Sequence, residues 1–359
     1  MRIVVIGAGV IGLLTAFKLA KAGHQVTILE KNAQSTESSW AGGGIVSPMY
    51  PWRYAPAVTA LAQLAQAEYP LLAQELLQLT GINIELNQCG MLMLNTDDKR
   101  DALVWAEQYQ QQIAYLSQTQ IRQLSPLLAT AFVDAVWLPH VANVRNPRLL
   151  QALGQAVRLC GVRYVGDAEV CAWQYTQGQL LAVETKQGQR YEADNFVMTT
   201  GAWTGRVAQD LGLNLPIKPM KGQMLLYKLP QQLLAQIVLY QGHYLIPRQD
   251  GHLLCGSTLE DTGFDKHTTS EALQLLSQSA QHILPLLANY QPIKHWAGLR
   301  PASPNGIPFI GRLPEWSNVW LNAGQFRNGL VLAPPSAQLL VDLMLGQSPS
   351  INPQSYQIF

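Results

Sequence analysis

The residue types best placed to do chemistry stand at the start of the chain, in Gly7-Ala8-Gly9-Val10-Ile11-Gly12 and in Glu30. Glycines at that spacing suit a backbone that must come close to a pyrophosphate. Gly7 permits a tight turn, Gly9 removes the Cβ that would block the phosphates, and Gly12 lets a helix lie close on a strand. A carboxylate at Glu30 can then accept hydrogen bonds from an adenosine ribose, as a free ribose in FAD or NAD requires. A second stretch, Ser38-Ser39-Trp40-Ala41-Gly42-Gly43-Gly44-Ile45-Val46-Ser47-Pro48, carries three consecutive glycines. Ordering such a run costs entropy, which points to backbone laid against a flat ligand. An enclosed flavin has a use for it; NAD has no evident need.

These residues require a frame. Ile3–Ile6 is a short, largely β-branched apolar run, expected of a parallel strand buried on both faces. Leu13 to about Ala22 reads as a helix that ends at Gly23, and Gln25–Leu29 reads as the next strand, closing on Glu30. The helix would aim its free N–H groups and positive dipole end at the phosphates. Phe196–Thr200 is another apolar strand, running into Gly201-Ala202-Trp203. Val319–Gly324 is a third, followed by Gln325-Phe326-Arg327-Asn328-Gly329-Leu330 and a helix from about Pro335 to Leu345. A strand that ends in a glycine turn at the carboxyl edge of a sheet is where a cofactor is met. Alternation predicts further strands at Gly90–Leu94, Gly222–Tyr227, Tyr244–Pro247 and His252–Cys255, and an amphipathic helix over Glu271–Leu284. No internal repeat or low-complexity linker interrupts the chain.

Composition narrows the class. The chain has 359 residues, 48% hydrophobic and 13% charged, which is a globular balance. Its net charge of +1 gives no reason to expect nucleic acid or an anionic membrane as partner. Cys89, Cys160, Cys171 and Cys255 are scattered without C-x-x-C spacing, so neither a metal site nor a disulfide framework is expected. The six histidines other than His243 show no ligand or catalytic spacing. The amino-terminal apolar run is broken by glycines and is too short for a signal core or a bilayer span. A cytoplasmic protein is expected.

With these motifs in place, the chain resembles the D-amino-acid oxidase–like FAD oxidoreductases, and within them the glycine oxidases linked to thiazole biosynthesis. The resemblance covers nearly the whole chain. It rests on Gly7–Gly12 with Glu30, on Ser38–Pro48, on Thr200–Trp203 and on His243-Tyr244-Leu245-Ile246-Pro247-Arg248. The pairing of Trp296-Ala297-Gly298-Leu299-Arg300-Pro301 with Phe326-Arg327-Asn328-Gly329 is its most specific part. It implies an α/β fold in two domains, a Rossmann-like FAD-binding domain and a substrate domain built on a mixed or antiparallel sheet. The FAD domain would be discontinuous, over 1–84, 146–214 and 298–359, with 85–145 and 215–297 forming the substrate domain. FAD would be noncovalent, held by Val10, Ile11, Glu30, Lys31, Ser38, Ser39, Gly43, Gly44, Ile45, Val170, Gly201 and Gln325 to Val331. A homo-oligomer, such as a tetramer, is also implied.

The same resemblance places the substrate's carboxylate on Arg300, whose planar guanidinium binds both oxygens and stays charged. Gly298-Leu299-Arg300-Pro301 reads as a compact turn, with Pro301 restricting the backbone before it. Tyr244 would be a second carboxylate ligand through its hydroxyl. Arg327 would contact substrate or stabilise reduced flavin. No dedicated acid or base is needed if the amine is unprotonated, because hydride transfer then requires positioning alone. The expected reaction is oxidative deamination of glycine, sarcosine or D-alanine, with dioxygen reduced to hydrogen peroxide. Three departures bear on side-chain size: Leu259 replaces a methionine that lines the pocket in some members, Gly242 a histidine, and Ile45 another apolar residue. Rival readings are a D-amino-acid dehydrogenase, which typically lacks Phe-Arg-Asn-Gly, a tRNA-modifying flavoprotein, which would want basic patches, and a flavin-binding protein without turnover.

Overall fold

In the computed structural model, which describes residues 1–358, alternation in the first strand sets the layering. Ile3, Val4, Val5 and Ile6 are all buried in the strand Arg2–Ile6. Ile3 and Val5 join one core with Leu13, Phe17, Leu153 and Leu340, from the helices Val10–Lys21, Asn146–Leu159 and Ala333–Leu345. Val4 and Ile6 join another with Leu180, Val183 and Tyr191, from a small antiparallel sheet of Val170–Thr176, Gln179–Thr185 and Arg190–Glu192. Successive residues of a strand face opposite sides, so a strand apolar throughout must be covered on both.

The central sheet has six strands, in the order Phe309–Arg312, Val319–Ala323, Asn195–Met198, Arg2–Ile6, Gln25–Leu29 and Arg163–Val165. Every pairing is parallel except the first. The turns after Ile6, Met198 and Ala323 therefore open on the same edge, as the glycine signals implied. Helix Pro56–Thr80 adds Val58, Leu61 and Leu76 to the helical layer.

The second large sheet has eight strands: Lys294–Ala302, Lys218–Lys228, His252–Gly256, His243–Pro247, Ile237–Tyr240, Met91–Leu94, Asp134–Leu138 and Ala114–Ser117. Its pairings are antiparallel apart from Ile237–Tyr240 with Met91–Leu94, so the sheet is mixed. Leu92, Leu94, Leu225 and Leu245 face Leu276, Ala280 and Ile283 of the helix Ser270–Ile283. Met91, Met93, Met224, Tyr244 and Ile246 share the opposite face. The expected boundary at 297/298 falls inside the strand Lys294–Ala302. Among the described residues, no helix is long and apolar enough to cross a membrane, and no acidic, histidine and cysteine cluster could hold a metal.

Gly12 shows how tightly the first helix sits. A Cβ there would stand 2.0 Å from the Gly7 carbonyl oxygen and 2.6 Å from Thr199 Oγ1. Gly12→Val should destabilise the fold by about 1–3 kcal/mol, read from urea unfolding. An unchanged midpoint would mean that the helix can lift away without cost.

Candidate active site

A long cleft opens where the carboxyl edge of the central sheet meets the apolar face of the eight-stranded sheet. At one end lies the Gly7–Gly12 turn. Gly7 holds φ +105°, and a Cβ there would be 2.6 Å from the Thr199 carbonyl oxygen. Thr199 Oγ1 donates within reach of the carbonyls of Ile6 and Gly7, at 3.0 and 2.9 Å. Gly9 is the N-cap of Val10–Lys21 and supplies no side-chain cap, which suits a first turn meant for an anion. Only the Val10 N–H is taken up by a side chain, Ser39 Oγ at 3.0 Å. Glu30 is buried and accepts from Ala8 N at 2.7 Å and Asn32 N at 3.2 Å. Burial raises its pKa although both bonds oppose the shift. Lys31 lies 3.0 Å from the Trp203 ring centroid and pairs with Glu37 at 2.9 Å. Burial lowers the Lys31 pKa despite that pairing.

Of the residues named for cofactor contact, all but Gly12 line this cleft, including Val170, Gly201, Ser38, Ile45 and the run Gln325 to Val331. Gly12 lies beneath the turn, where its packing role requires it. The glycine run has a further constraint that the sequence did not reveal. A Cβ on Gly43 would meet Ile246 Cδ1 at 2.6 Å, and one on Gly44 would meet the Val144 carbonyl oxygen at 2.1 Å. The run is thus wedged between the eight-stranded sheet and the chain entering the helix Asn146–Leu159, as well as lining the cleft. Arg248, buried, donates to the Gly43 carbonyl at 3.0 Å and to Asn143 Oδ1. Burial pulls its pKa down to about 10. Asn146 Nδ2 holds the Ser39 carbonyl at 2.8 Å, and Trp296 Nε1 holds that of Ala41 at 3.0 Å. Arg248 and Trp296 belonged to recognised motifs, yet nothing in those motifs assigned them this work.

The far end of the cleft belongs to Arg300 and Tyr244. Arg300 does not lie in a turn. It sits within Lys294–Ala302, the edge strand of the eight-stranded sheet, with Met220 opposite. Gly298 and Pro301 read as turn residues for other reasons. Gly298 passes Ala41, whose Cβ would be 2.6 Å from a side chain there, and an edge strand tolerates proline. The guanidinium is bonded to neutral acceptors only: Ser257 Oγ at 2.7 Å, the Thr258 carbonyl at 3.2 Å and the Lys221 carbonyl at 3.3 Å. Among the described residues no carboxylate reaches it. Burial draws its pKa below the ordinary arginine value, and Arg327 adds to the effect. Tyr244 is buried and points its hydroxyl at Met224 Sδ, 3.2 Å away, a weak acceptor that a stronger anion would displace. Arg327 lies on the short helical turn Phe326–Asn328, next to Phe326 at φ +48°. Leu259, near the expected methionine position, is exposed and is not among the residues lining the cleft. Ser257, Thr258 and Gly222 escaped sequence reasoning because their contacts are made across strands.

Residues 2–343 match the family described as DAO, the FAD dependent oxidoreductases. The chain belongs to this family. It is 48% identical to a glycine oxidase of Pseudomonas aeruginosa, over 99% of this chain and 98% of that protein. A bifunctional protein ThiO/ThiG of Trichormus variabilis is 31% identical, over 96% of this chain and 53% of that longer protein. The crystal structure of glycine oxidase from Geobacillus kaustophilus superposes with a TM-score of 0.94 at 28% identity, covering 100% of this chain and 98% of that one. The cleft of this FAD-dependent oxidoreductase fits its cofactor on its own terms. Asn328 Nδ2 is buried without a partner, a donor that flavin acceptors would satisfy. No cysteine is among the residues lining the cleft.

A methyl group on Gly222 would stand 2.2 Å from both terminal nitrogens of Arg300. Gly222→Ala should therefore displace the guanidinium, raising the apparent KM for a carboxylate substrate about tenfold while the protein stays yellow. Steady-state kinetics beside a visible spectrum checks it, and an unchanged KM would separate Arg300 from substrate binding.

Proposed function

We propose that this FAD-dependent oxidoreductase is an oxidase of glycine and other small amino acids or amines, sarcosine and D-alanine among them. The observation that carries the proposal is Arg300, a half-buried guanidinium with neutral neighbours, beside a tyrosine hydroxyl, in the cleft that begins at the dinucleotide turn. Partial burial of a cation without a counter-ion is costly, and a substrate carboxylate supplies the missing charge. The names borne by the Pseudomonas and Geobacillus relatives agree with that substrate class.

In this reading Arg300 binds the carboxylate through two parallel N–H bonds, and Tyr244 turns its hydroxyl from Met224 sulfur to the same group. Arg327 contacts the substrate or balances negative charge that develops nearby. Bound FAD would supply the hydride acceptor for the substrate's Cα, with dioxygen, reduced to hydrogen peroxide, as final electron acceptor. It would be held by Gly7, Gly9, Val10 and Ile11 at its phosphates, Glu30, Lys31 and Val170 at its adenosine end, and Ser38, Ser39, Gly43, Gly44, Ile45, Gly201 and Gln325 to Val331 elsewhere. The carboxylates that line the cleft are Glu30, Glu37 and Glu169, clustered toward Lys31 and Val170. The chain's part in the chemical step is therefore positioning, with an amine that arrives unprotonated. The product imine then hydrolyses to glyoxylate or another 2-oxo acid with ammonia or amine. The two-domain division at 84/85, 145/146, 214/215 and 297/298, and a homo-oligomeric, cytoplasmic enzyme, belong to the same proposal. The four free cysteines accord with a reducing compartment.

Purified protein should release peroxide with glycine, sarcosine or D-alanine and little with L-alanine. Flavin that bleaches anaerobically with D-amino acids, without peroxide in air, would replace the oxidase reading by a dehydrogenase. Arg300→Ala should keep FAD and lower kcat/KM about 100- to 1,000-fold, the loss of two charge-assisted hydrogen bonds. Loss of FAD together with activity would assign Arg300 to the cofactor.

A further inference from the structure

Two of the three acceptors on Arg300 come from one irregular segment, which runs from Ser257 to the helix cap at Thr269. This segment has no sheet ladder along its length, only one isolated bridge between Lys221 and Glu260. Backbone bonds tie it to the neighbouring strand only at Thr258 and Glu260, and side chains do the rest. The third acceptor on Arg300 is the carbonyl of Lys221 itself.

Lys221 is unusual in its surroundings. Its side chain is 2% exposed, and it reaches Asp265 at 3.0 Å, Glu260 at 3.2 Å and the His267 carbonyl at 3.2 Å, all within the segment. Burial opposes its charge, but the hydrogen bonds it donates to Asp265 and Glu260 hold its pKa above the ordinary lysine value. Its backbone exchanges both bonds with Glu260, at 2.8 and 2.9 Å. Two residues along the same strand, and so on the same face, Gln223 is fully buried and completes the tether. Its N–H donates to Thr258 Oγ1 at 2.9 Å, its Nε2 to Glu260 at 2.9 Å, and its Oε1 accepts from Thr269 N at 3.0 Å. Thr258 Oγ1 also donates to Glu260. One network therefore fixes the carbonyl and hydroxyl that orient the guanidinium.

We infer that Lys221 is a positioning residue for Arg300: its ammonium pins the Ser257–Thr269 segment and so sets the guanidinium that receives the carboxylate. The inference rests on the reading of Arg300 as the carboxylate clamp. A clamp displaced by even an ångström binds poorly, because its two bonds must meet two oxygens in one plane. Lys221 touches neither substrate nor cofactor in this scheme, since it is absent from the cleft lining.

The test uses FAD-loaded enzyme, wild type beside Lys221→Met, Lys221→Arg, Asp265→Asn and Arg300→Ala. Glycine kcat and KM are read by peroxide release, and acetate, a carboxylate without an amine, is titrated against the flavin spectrum. Lys221→Met should keep its flavin and raise both glycine KM and acetate Kd about tenfold, with kcat within about twofold. Lys221→Arg should recover most of the loss. Asp265→Asn, which removes one partly exposed tether, should raise acetate Kd about threefold. A lowered Tm with unchanged KM and Kd in Lys221→Met would mean a structural lysine only and overturn the inference. If Lys221→Met fails to fold, an unchanged acetate Kd in Asp265→Asn overturns it equally. If wild type and Arg300→Ala bind acetate alike, the clamp reading itself falls, and this inference with it.

Discussion

A half-buried cation without a counter-ion is the constraint around which the rest of this structure is arranged. The Arg300 guanidinium lies where burial lowers its pKa, yet it is surrounded by carbonyls and a hydroxyl in place of a counter-ion. Neutral acceptors hold the plane of the group without neutralising it. In the proposed reading that charge awaits a substrate carboxylate, which requires surroundings that keep the guanidinium away from any nearby acid. Glu260 is close enough to affect Arg300 electrostatically, but its oxygens are engaged by Lys221, Gln223 and Thr258. Glu260 is thus engaged by the buried Lys221 and not by Arg300.

That arrangement explains why two sheets are needed. The parallel sheet offers N–H groups and glycine turns at its carboxyl edge, which suits phosphates and a flat ring system. It offers no fixed surface on which an arginine could be oriented from behind. The eight-stranded sheet does, because each strand positions side chains at a spacing set by its neighbours. Arg300 takes its acceptors from Lys218–Lys228 and from the segment after His252–Gly256. The cleft lies along the seam, so a ligand there would meet backbone on one side and side chains on the other.

Much of the first half of this was legible in the sequence, because its signals are local. Gly7–Gly12, the strand before it and Glu30 after it lie within thirty residues, and each conformational demand names a residue type. The three consecutive glycines were legible as a close approach, though not as one shared with Ile246 and Val144. Arg300 shows where local reading stops. Gly298 and Pro301 on either side of it suggested a turn, but glycine there answers to Ala41 across the seam, and proline is tolerated because the strand is an edge. Leu259, set near the pocket by likeness, is exposed and does not line it. Lys221 carried no signal at all, since a lysine in an alternating strand reads as the solvent face until the partner segment is known.

The seam also accounts for the distribution of glycine in the second sheet. Gly222, Gly256 and Gly298 each stand where a Cβ would strike Arg300, Met224 or Ala41 within 2.6 Å. In a strand interior glycine weakens pairing and adds conformational entropy to the unfolded chain, so three in one site need a return. Each vacated Cβ is the space occupied by a group that must be fixed: the guanidinium, the methionine under the tyrosine hydroxyl, and the helical turn Ser38–Ala41 that leads into the glycine run. Filling any of them would move the clamp relative to the cofactor turn, because the same close contacts set both the depth of the cleft and the direction of Arg300. Close packing of the two sheets is thus what holds this arginine still.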